Sequence, residues 1–259
     1  MEIIIKKSSN VYLYKLALEE FIKKNNKNSK EIKDIDYLVG IMFLTELNRY
    51  CKLNKLQIHG YYIAYVIIIL FNNLRMKLMF NREIDKNIIF DIIEGINENI
   101  IYINDRINDN ERYKKMINEN MSKMFIEFMP KIKNIINYEN KEHKKEEKNI
   151  FCIDKCYICW LDNGLREIFY ILFMIARYIG MGIYKEIKMI KISEYFGEMF
   201  YIIININNIE ENEKMRIYEK YMIIKTKIIE YFIESNIQSN TMDEILDIIE
   251  KMIFIKICK

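Results

Sequence analysis

The chain reads as an all-α protein, and three observations carry that reading. One proline and seven glycines in 259 residues leave few points at which a helix must end or a strand must turn. Apolar residues recur at spacings of three and four, most clearly at Val11, Tyr14, Leu18 and Phe21. Hydrophobic residues make up 51% of the chain and charged residues 30%, a balance that allows a sizeable core and argues against disorder. About ten helices are expected, in two units of roughly five.

In the first unit, residues 1–138, helices are expected over 9–25, 31–50, 56–72, 83–104 and 110–138. Pro130 would kink or divide the last, because its ring removes a backbone donor. The segment ENKEHKKEEKN, residues 139–149, has no large apolar side chain and reads as a solvated linker or exposed helix end. In the second unit, residues 150–259, helices are expected over 150–161, 164–179, 192–206, 210–234 and 241–257. The last carries the best start signal: Thr241 and Glu244 form a T-x-x-E capping box. The ambiguous segment is YIIININ, residues 201–207, whose alternation suits a strand as well as a helix. Gly180 and Gly182 mark a helix end and the turn after it. Ile, Asn, Lys and Tyr are abundant enough for A/T-rich codon usage to explain them, so Asn-rich spots are not read as chemistry, and β-branched isoleucine blurs helix against strand.

Lys and Arg number 40 against 37 Asp and Glu, and a net charge of +3 creates no strong single-sign field. Nucleic acid is therefore not the expected partner. The opening MEIIIKKSSN has too short an apolar stretch for a secretory signal, and an intracellular location, cytoplasm or nucleus, is expected. The apolar run 61–71 is about half of the roughly 20 residues a membrane span needs, and the run 168–183 contains Arg177, so no membrane partner is expected. Five cysteines, three of them crowded between Cys152 and Cys159, do not make a disulfide framework and fit a reducing compartment.

The stretch YLVGIMFLTELNRYCKLNKLQIHGYYIAYVIIILFNN, from Tyr37 to Asn73, resembles the second and third helices of a cyclin box. Gly40 stands at that family's small position, Phe43 and Leu44 at the Tyr and Leu of its Y-[LI]-D-R motif, and LQIHG opens the next helix. The chain departs from the pattern in two places. Thr45 and Glu46 replace the Asp-Arg pair, and apolar residues at 69–71 replace the ending whose lysine contacts a kinase. The resemblance implies a cyclin-like fold and a regulatory role toward a kinase or the transcription machinery, with ordinary kinase activation put in doubt by the missing lysine.

Three constellations could carry chemistry. Cys152, Cys156 and Cys159 form C-x3-C-x2-C, a spacing that resembles the iron–sulfur motif of radical SAM enzymes and that, with His143, could also offer zinc ligands. The β/α barrel that radical chemistry needs has no counterpart in the helical sequence that follows, and the plainer reading packs the three thiols on one helical face beside Trp160. Asn104, Asp105, Asn108, Asp109 and Glu111 gather oxygen ligands suited to Mg²⁺ and resemble the N-D-x-x-S-x-x-x-E motif of helical terpenoid synthases. Position 112, acidic in that motif, is Arg112, and no D-D-x-x-D accompanies it; a solvated loop is the alternative. The two histidines are His59, in an apolar run that suits a hydrogen-bonded structural role, and His143. No catalytic set is complete, so the expected function is non-enzymatic protein interaction with no cofactor, no catalytic residue and no metal site. The alternatives are a helical Mg-dependent enzyme or a small zinc-stabilised module.

Overall fold

A computed structural model of the chain describes residues 9–25, 32–50, 57–80, 95–96, 98–99, 130–133, 164–179, 186–208, 210–235 and 239–258. The described residues contain no strand. Their long helices are α1 (Asn10–Asn25), α2 (Asp34–Tyr50), α3 (Gln57–Phe80), α4 (Leu165–Ile179), α5 (Glu186–Asn205), α6 (Lys214–Glu234) and α7 (Asn240–Ile257), with 3₁₀ turns at Ile206–Asn208 and Glu211–Glu213 between α5 and α6. The protein is thus all-α.

Helices α1, α2 and α7 start where a polar side chain satisfies one of the first backbone donors. At α1, Ser9 Oγ accepts from the Tyr12 N–H at 3.2 Å, the usual role of a serine before a helix. At α2, the Asp36 carboxylate reaches back to the Lys33 N–H at 2.8 Å. At α7 the cap is Ser239, whose side chain accepts from the Met242 N–H at 3.4 Å. This corrects the capping box expected at Thr241 and Glu244. Thr241 is buried inside the helix, and Glu244 Oε2 instead accepts from the Val11 N–H of α1 at 3.4 Å.

Three other boundaries differ from expectation. Helix α3 runs on to Phe80 because Asn72 and Arg75, polar residues that look like a helix end, turn inward to a carboxylate on α2. Helix α5 begins at Glu186, a turn and a half earlier than expected, because Met189 is already buried. Residues 201–205 continue α5 and 206–208 tighten into a 3₁₀ turn, which removes the strand alternative for YIIININ. The expected helices over 83–104, 110–138 and 150–161 fall largely outside the described residues, as does the segment 139–149.

The buried apolar side chains form one contiguous cluster drawn from all seven helices. Helix α2 lies at its centre, packed against α1, α3, α4 and α7, while α4 and α5 share the most extensive contact. A run of aromatic rings ties the layers together. Phe71 of α3 meets Phe200 of α5 edge-on at 5.4 Å, Phe169 of α4 lies 4.9 Å from Phe200 and 5.5 Å from Phe196, and Phe196 in turn approaches Phe232 of α6 at 6.3 Å. Such pairs contribute about 0.5–1.5 kcal/mol each beyond their buried area. The segment His59–Phe80 of α3 is long and apolar enough to cross a membrane, with a mean hydropathy of 1.6, and 56% of that window is buried inside the fold.

Among the polar residues buried in this core is Asp36, which has no exposed surface. Its Oδ1 accepts from Arg75 Nε at 2.7 Å, and its Oδ2 accepts from Arg75 Nη2 at 2.9 Å, Asn72 Nδ2 at 2.9 Å and the Lys33 N–H at 2.8 Å. The guanidinium and carboxylate therefore meet as a two-pronged fork, the geometry in which arginine and aspartate bind best. Removing one partner strands a buried charge, whereas removing both leaves an apolar gap. Asp36→Ala is expected to cost about 3–5 kcal/mol in urea unfolding. The double substitution Asp36→Leu with Arg75→Met should be less damaging than Asp36→Ala alone, and a greater loss in the double variant would contradict this account.

Candidate interaction surface

Residues 37–73 form most of α2 and α3, and these helices meet closely. A Cβ added at Gly40 would lie 2.5 Å from Ile68 Cδ1 and 3.3 Å from the Ala64 carbonyl oxygen, so a side chain at this position would displace the Ile68 side chain and crowd the α3 backbone. Thr45 and Glu46 are buried, and Thr45 Oγ1 donates to the Ile41 carbonyl at 2.8 Å. Leu70 and Phe71 are buried as well. The polar pair at 45–46 and the apolar residues at 70–71 thus belong to the core and not to a contact surface. His59 is half-buried, with Nδ1 2.6 Å from Asn99 Oδ1, while Asn99 Nδ2 donates to the Gly95 carbonyl at 2.7 Å. That bond gives the ring a structural role.

At the start of α4, Glu167 is buried with one oxygen held by Arg166 Nη2 at 2.7 Å and Nε at 3.2 Å, while its Oε2 has no hydrogen-bond partner among the described residues. Arg166 also lies 4.0 Å from Glu194 of α5. Burial pushes the Glu194 carboxyl above the usual carboxylate range, with the charge of Glu198 adding to the shift and Arg166 opposing it. The two helices approach closely at Gly197, where a Cβ would stand 2.9 Å from the Arg166 backbone nitrogen.

Helices α5 and α6 run antiparallel, and an open groove of about 560 Å³ lies between them. Its length is fixed by pairs across the gap. Lys220 meets Glu198 at 3.0 Å, Lys227 Nζ sits 5.6 Å from the centre of the Tyr195 ring, and Lys188 meets Glu234 at 3.5 Å beyond one end. Ile224 is buried beneath the groove, whereas its neighbour Ile223 is 58% exposed along it. Lys191 and Lys227 are both exposed, and the charge of Lys191 acts on the Glu194 carboxyl against the effect of burial. On the other side of α6, Lys225 bridges to Asp247 at 3.0 Å and Glu250 at 2.5 Å of α7. Burial works against the Lys225 charge, but hydrogen bonds to Glu250 and Asp247 outweigh it and raise its pKa.

The sequence-derived candidates for metal chemistry lie outside the described residues: Cys152, Cys156, Cys159 and His143, and the cluster Asn104, Asp105, Asn108, Asp109 and Glu111. So do Gly180 and Gly182. Among the described residues no three His, Cys, Asp or Glu side chains are grouped to hold a metal ion. No protein family profile, no curated protein and no solved structure matches this chain.

Tyr37, the first residue of the stretch, is buried, and burial together with the charges of Glu19, Asp34 and Asp36 pushes its phenol up from 10.0 to about 12. Between pH 10 and pH 12 the unfolded chain releases this proton while the folded chain keeps it, so stability falls as pH rises through that window and is intact below it. Tyr37→Phe should flatten this part of the alkaline stability loss, measured as unfolding free energy at pH 9 and pH 11.5. An unchanged slope would show that the phenol is not held neutral by the fold.

Proposed function

We propose that the chain is a non-enzymatic, intracellular protein-interaction subunit of cyclin-like type, a divergent regulatory partner of a protein kinase or of the transcription machinery. The observation that carries this reading is the coincidence of residues 37–73 with a packed helix pair. The stretch that resembles two cyclin-box helices covers most of α2 and α3, and its small residue Gly40 lies at a close approach between them. In this reading about ten helices make two five-helix units that pack on one another through the shared core, with α1, α2 and α3 in the first.

The departures from the pattern narrow the role. Position 46 is a buried glutamate, and residues 70–71 are core side chains where a kinase-contacting lysine would need to reach solvent. The chain therefore holds its partner through other faces, as an adaptor that positions a partner, and needs no cofactor for that work.

Affinity capture of the tagged chain from its own cells, followed by gel filtration, tests the proposal. A kinase catalytic subunit or a general transcription factor should co-elute in stoichiometric amount. Elution of the chain alone, or turnover of a small substrate by the purified chain, would contradict it.

A further inference from the structure

The outer face of α6 carries its charges in an order that is its own complement. Arg216, Glu219, Ile223, Lys227 and Glu230 follow one another at spacings of three, four, four and three, so they form one narrow stripe along the helix, and all five are exposed. Counting outward from Ile223, the residues four before and four after are Glu219 and Lys227, and those seven before and seven after are Arg216 and Glu230. Each of these pairs is of opposite sign. Two such stripes laid antiparallel about a two-fold axis at Ile223 therefore set Glu219 of each copy against Lys227 of the other, and Arg216 against Glu230. A parallel pairing in register would set like charges together and is disfavoured.

The apolar residues obey the same symmetry. Ile223 is 58% exposed and meets its own copy at the axis. Met215 and Ile233, 62% and 56% exposed, stand eight residues before and ten residues after Ile223. At 3.6 residues per turn both fall on one flank of the stripe, where the antiparallel pairing brings Met215 of one copy beside Ile233 of the other. Three large apolar side chains left mostly in water on one helix gain from a partner that covers them. The groove alongside is lined by lysines and glutamates alike, so it favours no occupant of a single sign, whereas a helix carrying both signs in the matching order suits it.

We propose that the outer face of α6 is a homodimer interface, on which α6 of a second copy of this chain packs antiparallel about a two-fold axis through Ile223. The pairing goes beyond the reading of the chain as a partner-binding subunit and does not depend on it. One helix pair makes a small interface with an ionic, solvent-accessible rim, so the dimer dissociates on dilution and with added salt.

Sedimentation equilibrium of the full chain over a concentration series tests this, with Glu219→Lys, Lys227→Glu and Ile223→Asp as variants. The wild type should show a monomer–dimer equilibrium. Each variant should raise the dissociation constant at least tenfold, because each places like charges together across the axis, while circular dichroism stays unchanged because the sites are exposed. The deciding sample is an equimolar mixture of the Glu219→Lys and Lys227→Glu chains. Every contact between positions 219 and 227 is then again of opposite sign, and dimer should return. A wild type that stays monomeric would leave the face to a helix of another protein and overturn the proposal. So would a dimer that the charge reversals leave intact, or a mixture that dimerises no better than its components.

Discussion

A charged carboxylate with no exposed surface has to be met by donors from the protein itself, and at Asp36 that requirement governs how the first helices assemble. Arg75 and Asn72 can both reach it only if α3 continues past residue 72, lies against α2 along its length and turns this face inward. The same oxygen that binds Asn72 also caps the start of α2 through Lys33, so one side chain fixes where a helix begins and which neighbour it holds. Apolar packing would tolerate sliding of α2 against α3 by small amounts. A two-pronged ion pair does not, because its hydrogen bonds are directional.

The close approach at Gly40 is the apolar counterpart of that constraint. With the helices brought together there, α3 can place Phe71 against Phe200, and the ring series Phe200, Phe169 and Phe196 carries the packing through α5 and α4 to Phe232 of α6. Helix α7 closes the arrangement from the other side: Tyr221 of α6 donates to the Leu246 carbonyl at 3.0 Å, and Glu244 meets the first turn of α1. Helices from either side of the charged segment 139–149 thus contribute to a shared core, while α5 and α6 still leave a groove open on their outer faces.

Much of the helical framework was legible from spacing alone. Of the register Val11, Tyr14, Leu18 and Phe21, Val11 and Leu18 are buried and Tyr14 and Phe21 half-buried in α1, where Ile22 completes the buried face, and Leu165–Ile179 lies within one residue of its expected bounds. The errors share a cause, which is that long-range partners reassign polar residues. Asn72 and Arg75 look like a helix end until Asp36 is known to lie opposite, and Glu244 looks like part of a local cap until the Val11 N–H is placed beside it. The groove was not legible, because its lining side chains are ordinary surface residues in the sequence and face one another only when α5 and α6 run antiparallel. Apolar spacing over 31–50 and 56–72 marked the helix pair at the centre but carried no information on the outer faces of α5 and α6.

The central claim is that the α2–α3 joint and the aromatic series bind α1 to α7 into a single cooperative body. Native-state hydrogen exchange across a denaturant series tests it most directly, because amides that open together share one free energy and one denaturant dependence. The account predicts that the central amides of α2, α3, α4 and α5 exchange only through global unfolding, with matching slopes. Exchange of α4 to α7 as one unit while α1 to α3 stay protected, or the reverse, would show two separately folding bodies and contradict it.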